Sequence, residues 1–552
     1  MTRKTTQPAG AATQRAEVIA STLAMGRSHH TQGHLKLAED CYRRVLALDP
    51  NNADGLNLLG VVALQSGDAE EAVKFLKRAQ RRAPKEPTIL VNLGAAYRKA
   101  DRKEDARDAY EEALKLRPDL AEAQFNLGKV LFEMHDLEGS IGANKRALAL
   151  APNMAEAWLG LGNALKITDD EAAIRAYQEA LKINPTLAEA YGNIGAVHFD
   201  RAAYHEALSW VDKGIALQPG PGELRFKRSL MALRLGELAT GWADYESRFF
   251  AERETVARFS PPPPYWSGED ISDKRLLVWT EQGLGDEVLY SNMMNDAVAA
   301  AGSVIIECSP RMVPVFARSF PKAEVKRYVA QGARSTPADA FDRQISVASL
   351  GQFFRRDFAQ FPRHQGYMKA DAEKTARLRA RYRALAPGNL VVGLSWRSKN
   401  ETFGEKKSAD LATWRDILLT PGVTFVNLQY GECRADLAKV KTALGVDVFH
   451  DPEVDPMKSM DDCFAQVAAM NLVISTSNTT VHVAGSQSVP VWAMVNSGGA
   501  NLWYWFLDRR DSPWYPSLRL FHKGGRPEGG EWWRRITAEI ARDLAVFAAK
   551  RG

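Results

Sequence analysis

Six prolines constrain the first half of this chain: Pro50, Pro84, Pro118, Pro152, Pro185 and Pro219, spaced 34, 34, 34, 33 and 34 residues apart. The text around them recurs, as in LALDPNNADGLNLLG, RRAPKEPTILVNLG, KLRPDLAEAQFNLG, ALAPNMAEAWLGLG and KINPTLAEAYGNIG. Gly60, Gly94, Gly128, Gly162 and Gly195 fall in the first predicted helix of each unit. Ala38, Ala72, Ala106, Ser140, Ala173 and Ala207 fall in the second. Small residues let two helices approach closely, and proline ends the second helix. A chain patterned this way stacks helix pairs side by side, each covering the apolar face of its neighbour.

The period and pattern resemble the tetratricopeptide repeat (TPR) family over about Ala16–Pro219, with a partial seventh unit from Gly222 to Phe250. Such pairs curve into a superhelix whose groove holds another protein chain. Asn92, Asn126 and Asn193 share one position, just before the Leu-Gly or Ile-Gly of their units, while Leu58 and Gly160 interrupt the series. Amides stacked along a groove can pair with the backbone of an extended peptide, so these three are the candidate acceptor-binding residues. The same ladder is known in the TPR superhelix of O-linked N-acetylglucosamine transferase, which this segment resembles. The bland alternative is that asparagine is a common consensus residue there.

Phe259–Gly268, FSPPPPYWSG, marks a boundary, because four consecutive prolines form a stiff extended spacer. Tyr265 and Trp266 are expected to pack it against the next domain. Beyond Asp273 the pattern alternates strand and helix. Strands are predicted at Leu276–Thr280, Ser303–Glu307, Glu324–Arg327, Gln344–Val347, Leu390–Trp396, Thr424–Gln429, Val446–Phe449, Leu472–Ser475, Val489–Val495 and Leu518–Phe521. Two open, mostly parallel sheets follow, joined near Ala386-Pro387-Gly388. The expected order is a disordered tail (1–15), a TPR superhelix (16–220), a partial seventh repeat or capping helices (221–258), the Pro-rich linker (259–273) and two α/β domains (274–388 and 389–552).

Charge and cysteine usage narrow the setting. The 72 basic and 67 acidic residues leave a net charge of only +5, so no global field demands nucleic acid. Four cysteines, far apart and without a CxxC, fit a reducing compartment. The polar start, MTRKTTQPAGAATQR, lacks the apolar core of a signal peptide, and no run of about 18 apolar residues is available to span a membrane. A cytoplasmic protein is expected.

Two turns carry the candidate chemistry. Leu276–Thr280 breaks into Glu281-Gln282-Gly283-Leu284-Gly285-Asp286, and Glu287 then opens a helical stretch. Gly283 and Gly285 leave room for a ligand, and Asp286 is either a general base or a helix cap. Later, Val473–Ser475 leads into Thr476-Ser477-Asn478-Thr479-Thr480-Val481-His482, a polar turn and helix start suited to an anionic phosphate, or simply a cap cluster. His482 either touches substrate or packs. Between them, Arg397, Lys406 and Lys407 offer cations for a leaving phosphate, and Glu432 offers a carboxylate to a ribose.

EQGLGDE, SWRSK, LQYGE, STSNTTVHVAG and SPWYPSLRLF together resemble bacterial TPR proteins whose C-terminal half is similar to heptosyltransferases, inverting sugar transferases of the GT-B fold with two Rossmann-like domains. The resemblance implies that Asp286 deprotonates the acceptor hydroxyl. It implies that Asn478, Thr479, Thr480 and His482 hold the donor phosphates, and that Lys406 or Lys407, ahead of Trp414, binds phosphate. Those enzymes usually carry Asp at the position of Asn478 and Gly at that of Thr480. Some members of the group are flagellin glycosyltransferases that attach a nonulosonic acid such as pseudaminic acid to Ser or Thr.

The expected activity is therefore metal-independent, inverting sugar transfer from a nucleotide-sugar, used as substrate rather than cofactor, to a protein such as flagellin. No Asp-x-Asp metal motif and no GxSxG elbow is present in the sequence. The alternatives are a non-catalytic TPR adaptor on a degenerate transferase domain, and a transferase acting on a glycan or lipid.

Overall fold

The computed structural model describes residues 9–251, 264–281, 283–328, 335–398, 408–495, 502–507, 509–522 and 531–550. These fall into two compact units, 1–197 and 198–552. Most of the proline spacer, and Lys406 and Lys407, lie outside the described residues.

In the first unit, helices Ala9–Thr31 and Leu35–Leu48 open a series of antiparallel pairs. Ala53–Gln65 and Ala69–Arg82 follow, then Pro87–Lys99 with Lys103–Leu116, Ala121–Glu133 with Leu137–Leu150, and Ala155–Leu165 with Asp170–Ile183. The expected small residues do set the packing. A Cβ on Gly94 would lie 2.7 Å from the Tyr110 ring, and one on Gly162 2.5 Å from Tyr177. Ala38, Ala72, Ala106, Ser140 and Ala173 are all fully buried. The turn inside a pair places one residue in the left-handed region at Gly33, Gly67, Asp101 and His135. The unit between Pro152 and Pro185, one residue shorter, turns instead through right-handed Lys166.

The second unit begins within helix Ala188–Asp200, so the last helices of the repeat pattern belong to it. They are Tyr204–Leu217, Glu223–Leu235 and Leu238–Tyr245. Two parallel sheets follow. The first has four strands: β1 (Ile271–Trp279), β2 (Ala301–Cys308), β3 (Glu324–Arg327) and β4 (Arg343–Ser346), in the order β3-β2-β1-β4. The second has five: β5 (Leu390–Ser395), β6 (Val423–Asn427), β7 (Leu472–Thr476), β8 (Val491–Val495) and β9 (Leu518–His522), in the order β6-β5-β7-β8-β9.

Nine of the ten predicted strands form. The exception, Val446–Phe449, makes a single bridge from Phe449 to Val426 and is no strand. β1 starts at Ile271, inside the segment expected to be linker. Trp266 is buried, lies tilted against Phe353 with ring centroids 4.3 Å apart and donates its backbone amide to the Gln344 carbonyl, whereas the Tyr265 side chain stays exposed. All four cysteines are buried and free: Cys41 in the repeats, Cys308 in β2, and Cys433 and Cys463 around the second sheet.

Candidate functional site

Strand order locates the site. In the first sheet β1 has β2 on one side and β4 on the other; in the second, β5 lies between β6 and β7. Connections leaving such a central strand diverge and open a crevice at its carboxyl end. Glu281–Asp286 leaves β1 at the first of these points. Ser395–Arg397 and Thr476–Asn478 leave β5 and β7 at the second.

The two crevices meet. Helices Leu284–Tyr290 and Thr479–Ser486 pack together, with Gly285 beside Thr479 and His482. A Cβ there would lie 3.2 Å from His482 Cδ2 and 3.6 Å from Thr479 Oγ1. A side chain at Gly285 would therefore crowd the His482 ring. Asp286, half-buried in the first helical turn, reaches back so that the Gly283 amide donates to its carboxylate at 3.3 Å. Its negative charge also acts on the buried phenols of Tyr504, Tyr515 and Tyr290, adding to the upward push that burial gives each.

Asn478 departs from the expected phosphate contact. Its Oδ1 accepts from Thr480 N at 2.9 Å and from Ser475 Oγ at 3.1 Å; its Nδ2 donates to Ser395 Oγ at 2.8 Å and to the Arg397 carbonyl at 3.1 Å. It is a helix cap and a tie between the ends of β5 and β7. The amides of Thr480 and Val481, expected to face an anion, both donate to Asn478. Thr479, half-exposed, faces Gly285.

His482 also packs. It is buried, stacks on Trp505 at 5.3 Å, meets Tyr504 edge-on at 5.2 Å, and shares a 2.8 Å hydrogen bond between Nδ1 and Tyr515 Oη. The Arg397 guanidinium donates to the Glu432 carbonyl at 2.6 Å and pairs with Asp436 at 2.9 Å. Glu432 is exposed and its carboxylate caps helix Arg434–Leu444 by accepting from Arg434 N at 2.9 Å, which lowers its pKa. The ribose role expected of Glu432 thus competes with a cap. Among the described residues no three His, Cys, Asp or Glu side chains gather as a metal-ligand set.

In the repeats, the interrupted asparagine ladder is continued by neighbours. Asn92 Nδ2 donates to Asn57 Oδ1 at 2.9 Å, beside the gap at Leu58, and Asn193 Nδ2 donates to Asn163 Oδ1 at 2.8 Å, one turn from the gap at Gly160. Asn126 is half-buried on its helix.

Several residues near the first turn carry no sequence expectation. Trp503–Trp505 forms a short 3-10 turn, and Trp505 Nε1 donates to Ser477 Oγ at 2.8 Å. Phe506 is held at φ 56°, ψ −178°, a strained conformation for a residue with a side chain. Glu287, beside Asp286, is buried, and burial pushes its carboxyl up to about 7 against the pull of the Ser309 amide. Arg248 is fully buried and its guanidinium grips Glu281 through Nε at 3.1 Å and Nη2 at 2.7 Å. The run WYWF and the pair Trp514-Tyr515 were the available signal, in a chain only 9% aromatic.

The family models match within the repeats, and one relative spans nearly the whole chain. The model of the tetratricopeptide repeat matches residues 23–87, and a second TPR model matches 97–135 and 169–200. A curated relative, Protein FlbA of Caulobacter vibrioides (strain ATCC 19089 / CIP 103742 / CB 15), is 32% identical over 524 residues, spanning 92% of this chain and 81% of the relative. Among solved structures, MamA is 26% identical over 29% of this chain and 95% of its own, with a TM-score of 0.27. PilF of Pseudomonas aeruginosa is 21% identical over 38% and 95%, with a TM-score of 0.34.

Proposed function

The chain belongs to the family of Protein FlbA, and from its TPR repeats, its two parallel sheets and its resemblance to heptosyltransferases we infer a protein glycosyltransferase of GT-B type in which a TPR groove holds the acceptor. The observation that carries the reading is the meeting of two strand-end turns at their sheets' switch points, with Gly285 against Thr479 and His482. A transferase needs that juxtaposition: an acid on one side, a leaving anion on the other.

The Asp286 carboxylate takes the proton from a Ser or Thr hydroxyl as its oxygen attacks the anomeric carbon of the donor. The new carbon–oxygen bond forms in line as the bond to the nucleotide phosphate breaks, and the leaving charge is met by the Thr479 hydroxyl, by Arg397, whose carbonyl is tied to Asn478, and by Lys406 or Lys407. Flagellin and a nonulosonic acid such as pseudaminic acid are the acceptor and sugar that the family resemblance favours.

One observation favours the adaptor alternative: Asn478, Thr480 and Val481 bond among themselves. Two measurements separate the readings. Co-expression with flagellin followed by intact-mass analysis is expected to show the acceptor heavier by whole sugar residues. A panel of CMP-, UDP-, GDP- and ADP-linked sugars is expected to include one that raises the thermal midpoint by mass action. An unmodified acceptor together with a flat panel would overturn the transferase reading.

A further inference from the structure

The stretch that carries Asp286, from Glu281 just past β1 to Tyr290 at the end of helix Leu284–Tyr290, is gripped at both of its ends by one short segment, Tyr245–Arg248. At its leading end, Arg248 holds Glu281, five residues before Asp286, with a two-pronged pair of 3.1 and 2.7 Å. At its trailing end, Tyr245 Oη and Tyr290 Oη share a hydrogen bond of 3.1 Å. Tyr245 closes helix Leu238–Tyr245, and Arg248 lies in the 3-10 turn that follows it.

Every other donor of Arg248 is also engaged. Nη2 donates to Ser349 Oγ at 2.7 Å, and Nη1 to Glu246 Oε1 at 2.8 Å and to the Tyr245 carbonyl at 3.1 Å. The rings of Tyr245 and Phe249 flank the guanidinium at 4.5 and 4.0 Å. Glu281 in turn accepts from Ser346 Oγ, on the last residue of β4. A buried ion pair gives little net stability over apolar residues of the same shape, but its geometry is exacting. Placing one on a glycine turn, rather than in a sheet, fixes where that turn points.

We propose that Arg248 and Tyr245 are positioning residues for Asp286: they set the glycine turn through Glu281 and Tyr290 and act on the reaction only through it. The proposal rests on the reading of Asp286 as the base for its catalytic consequence, but its structural core is tested separately.

The test is hydrogen–deuterium exchange on the full chain, comparing the native protein with Arg248→Lys, Arg248→Met and Tyr245→Phe. Lysine keeps the charge and loses the fork, so it guards against an unfolded methionine variant. All three are expected to speed exchange across 281–290 by about tenfold or more, while 472–486 exchanges as in the native protein. Unchanged exchange at 281–290, or equal acceleration throughout both sheets, would overturn the proposal. With a donor found in the CMP, UDP, GDP and ADP sugar panel, Arg248→Lys is expected to lower kcat about 10–100-fold at unchanged donor KM. Localised exchange changes in a protein whose Asp286→Asn variant still transfers sugar would remove the base reading and leave the clamp standing.

Discussion

The backbone amide of Ser309, just past β2, donates to the Glu287 carboxylate at 3.3 Å across the end of the first sheet. Burial raises that carboxyl from an ordinary 4.5 to about 7. The folded protein therefore binds a proton that the unfolded chain releases above pH 4.5. Stability from this residue is complete below that pH and is lost as pH rises towards 7. Glu287→Gln is expected to flatten this slope and to gain on the order of 2 kcal/mol over the native protein at pH 8, read from denaturant titrations across pH.

Asp286→Asn tests the base. Transfer to a co-expressed acceptor, followed by intact mass over time, is expected to fall about 10²–10⁴-fold, with stability changed by less than about 1 kcal/mol.

Gly285→Ala tests the contact between the turns. Its Cβ would press on a His482 ring already held by Trp505 and Tyr515, so the glycine turn must give way. The expected outcome is a stability loss of roughly 1 kcal/mol and a larger fall in transfer than in donor affinity, measured by thermal shift alongside turnover.

Asn478→Asp restores the residue usual in the heptosyltransferase pattern, yet it sets an oxygen against the Arg397 carbonyl where Nδ2 now donates. A loss of about 1–3 kcal/mol is expected in chemical denaturation. Asn478→Ala also removes the cap on Thr480 and is expected to lose at least as much.

Asn163→Ala tests the asparagine relay in the repeats. Asn163 Oδ1 accepts from both Asn193 Nδ2 and Tyr177 Oη, the latter at 2.9 Å. Losing it takes one partner from the buried Tyr177 phenol and one from Asn193, and the thermal unfolding of the repeats is expected to show a loss of about 1 kcal/mol.

The repeats were legible because their signal is periodic: a proline every 33 or 34 residues and a glycine facing a large side chain leave few ways to pack. Nine strands were legible from short apolar runs. Val446–Phe449 misled because a β-branched run reads the same whether it pairs along its length or at one residue, as Phe449 does with Val426. Asp286, Gly285 and Thr479 could be brought together from sequence because each follows a strand end. The clamp could not. Arg248 and Glu281 lie 33 residues apart on opposite sides of the proline spacer, and no local pattern announces a pair formed at that distance. Asn57 and Asn163 were hidden because they continue the ladder out of register.

The buried thiols give the molecule four internal clocks. Cys41 sits in the second helix of the repeats, Cys308 in β2, and Cys433 and Cys463 flank the second sheet, so each is reached by a reagent only when its own neighbourhood opens. Alkylation in graded denaturant, followed by peptide mapping, would time the opening of each region in the native sequence, with no probe engineered in.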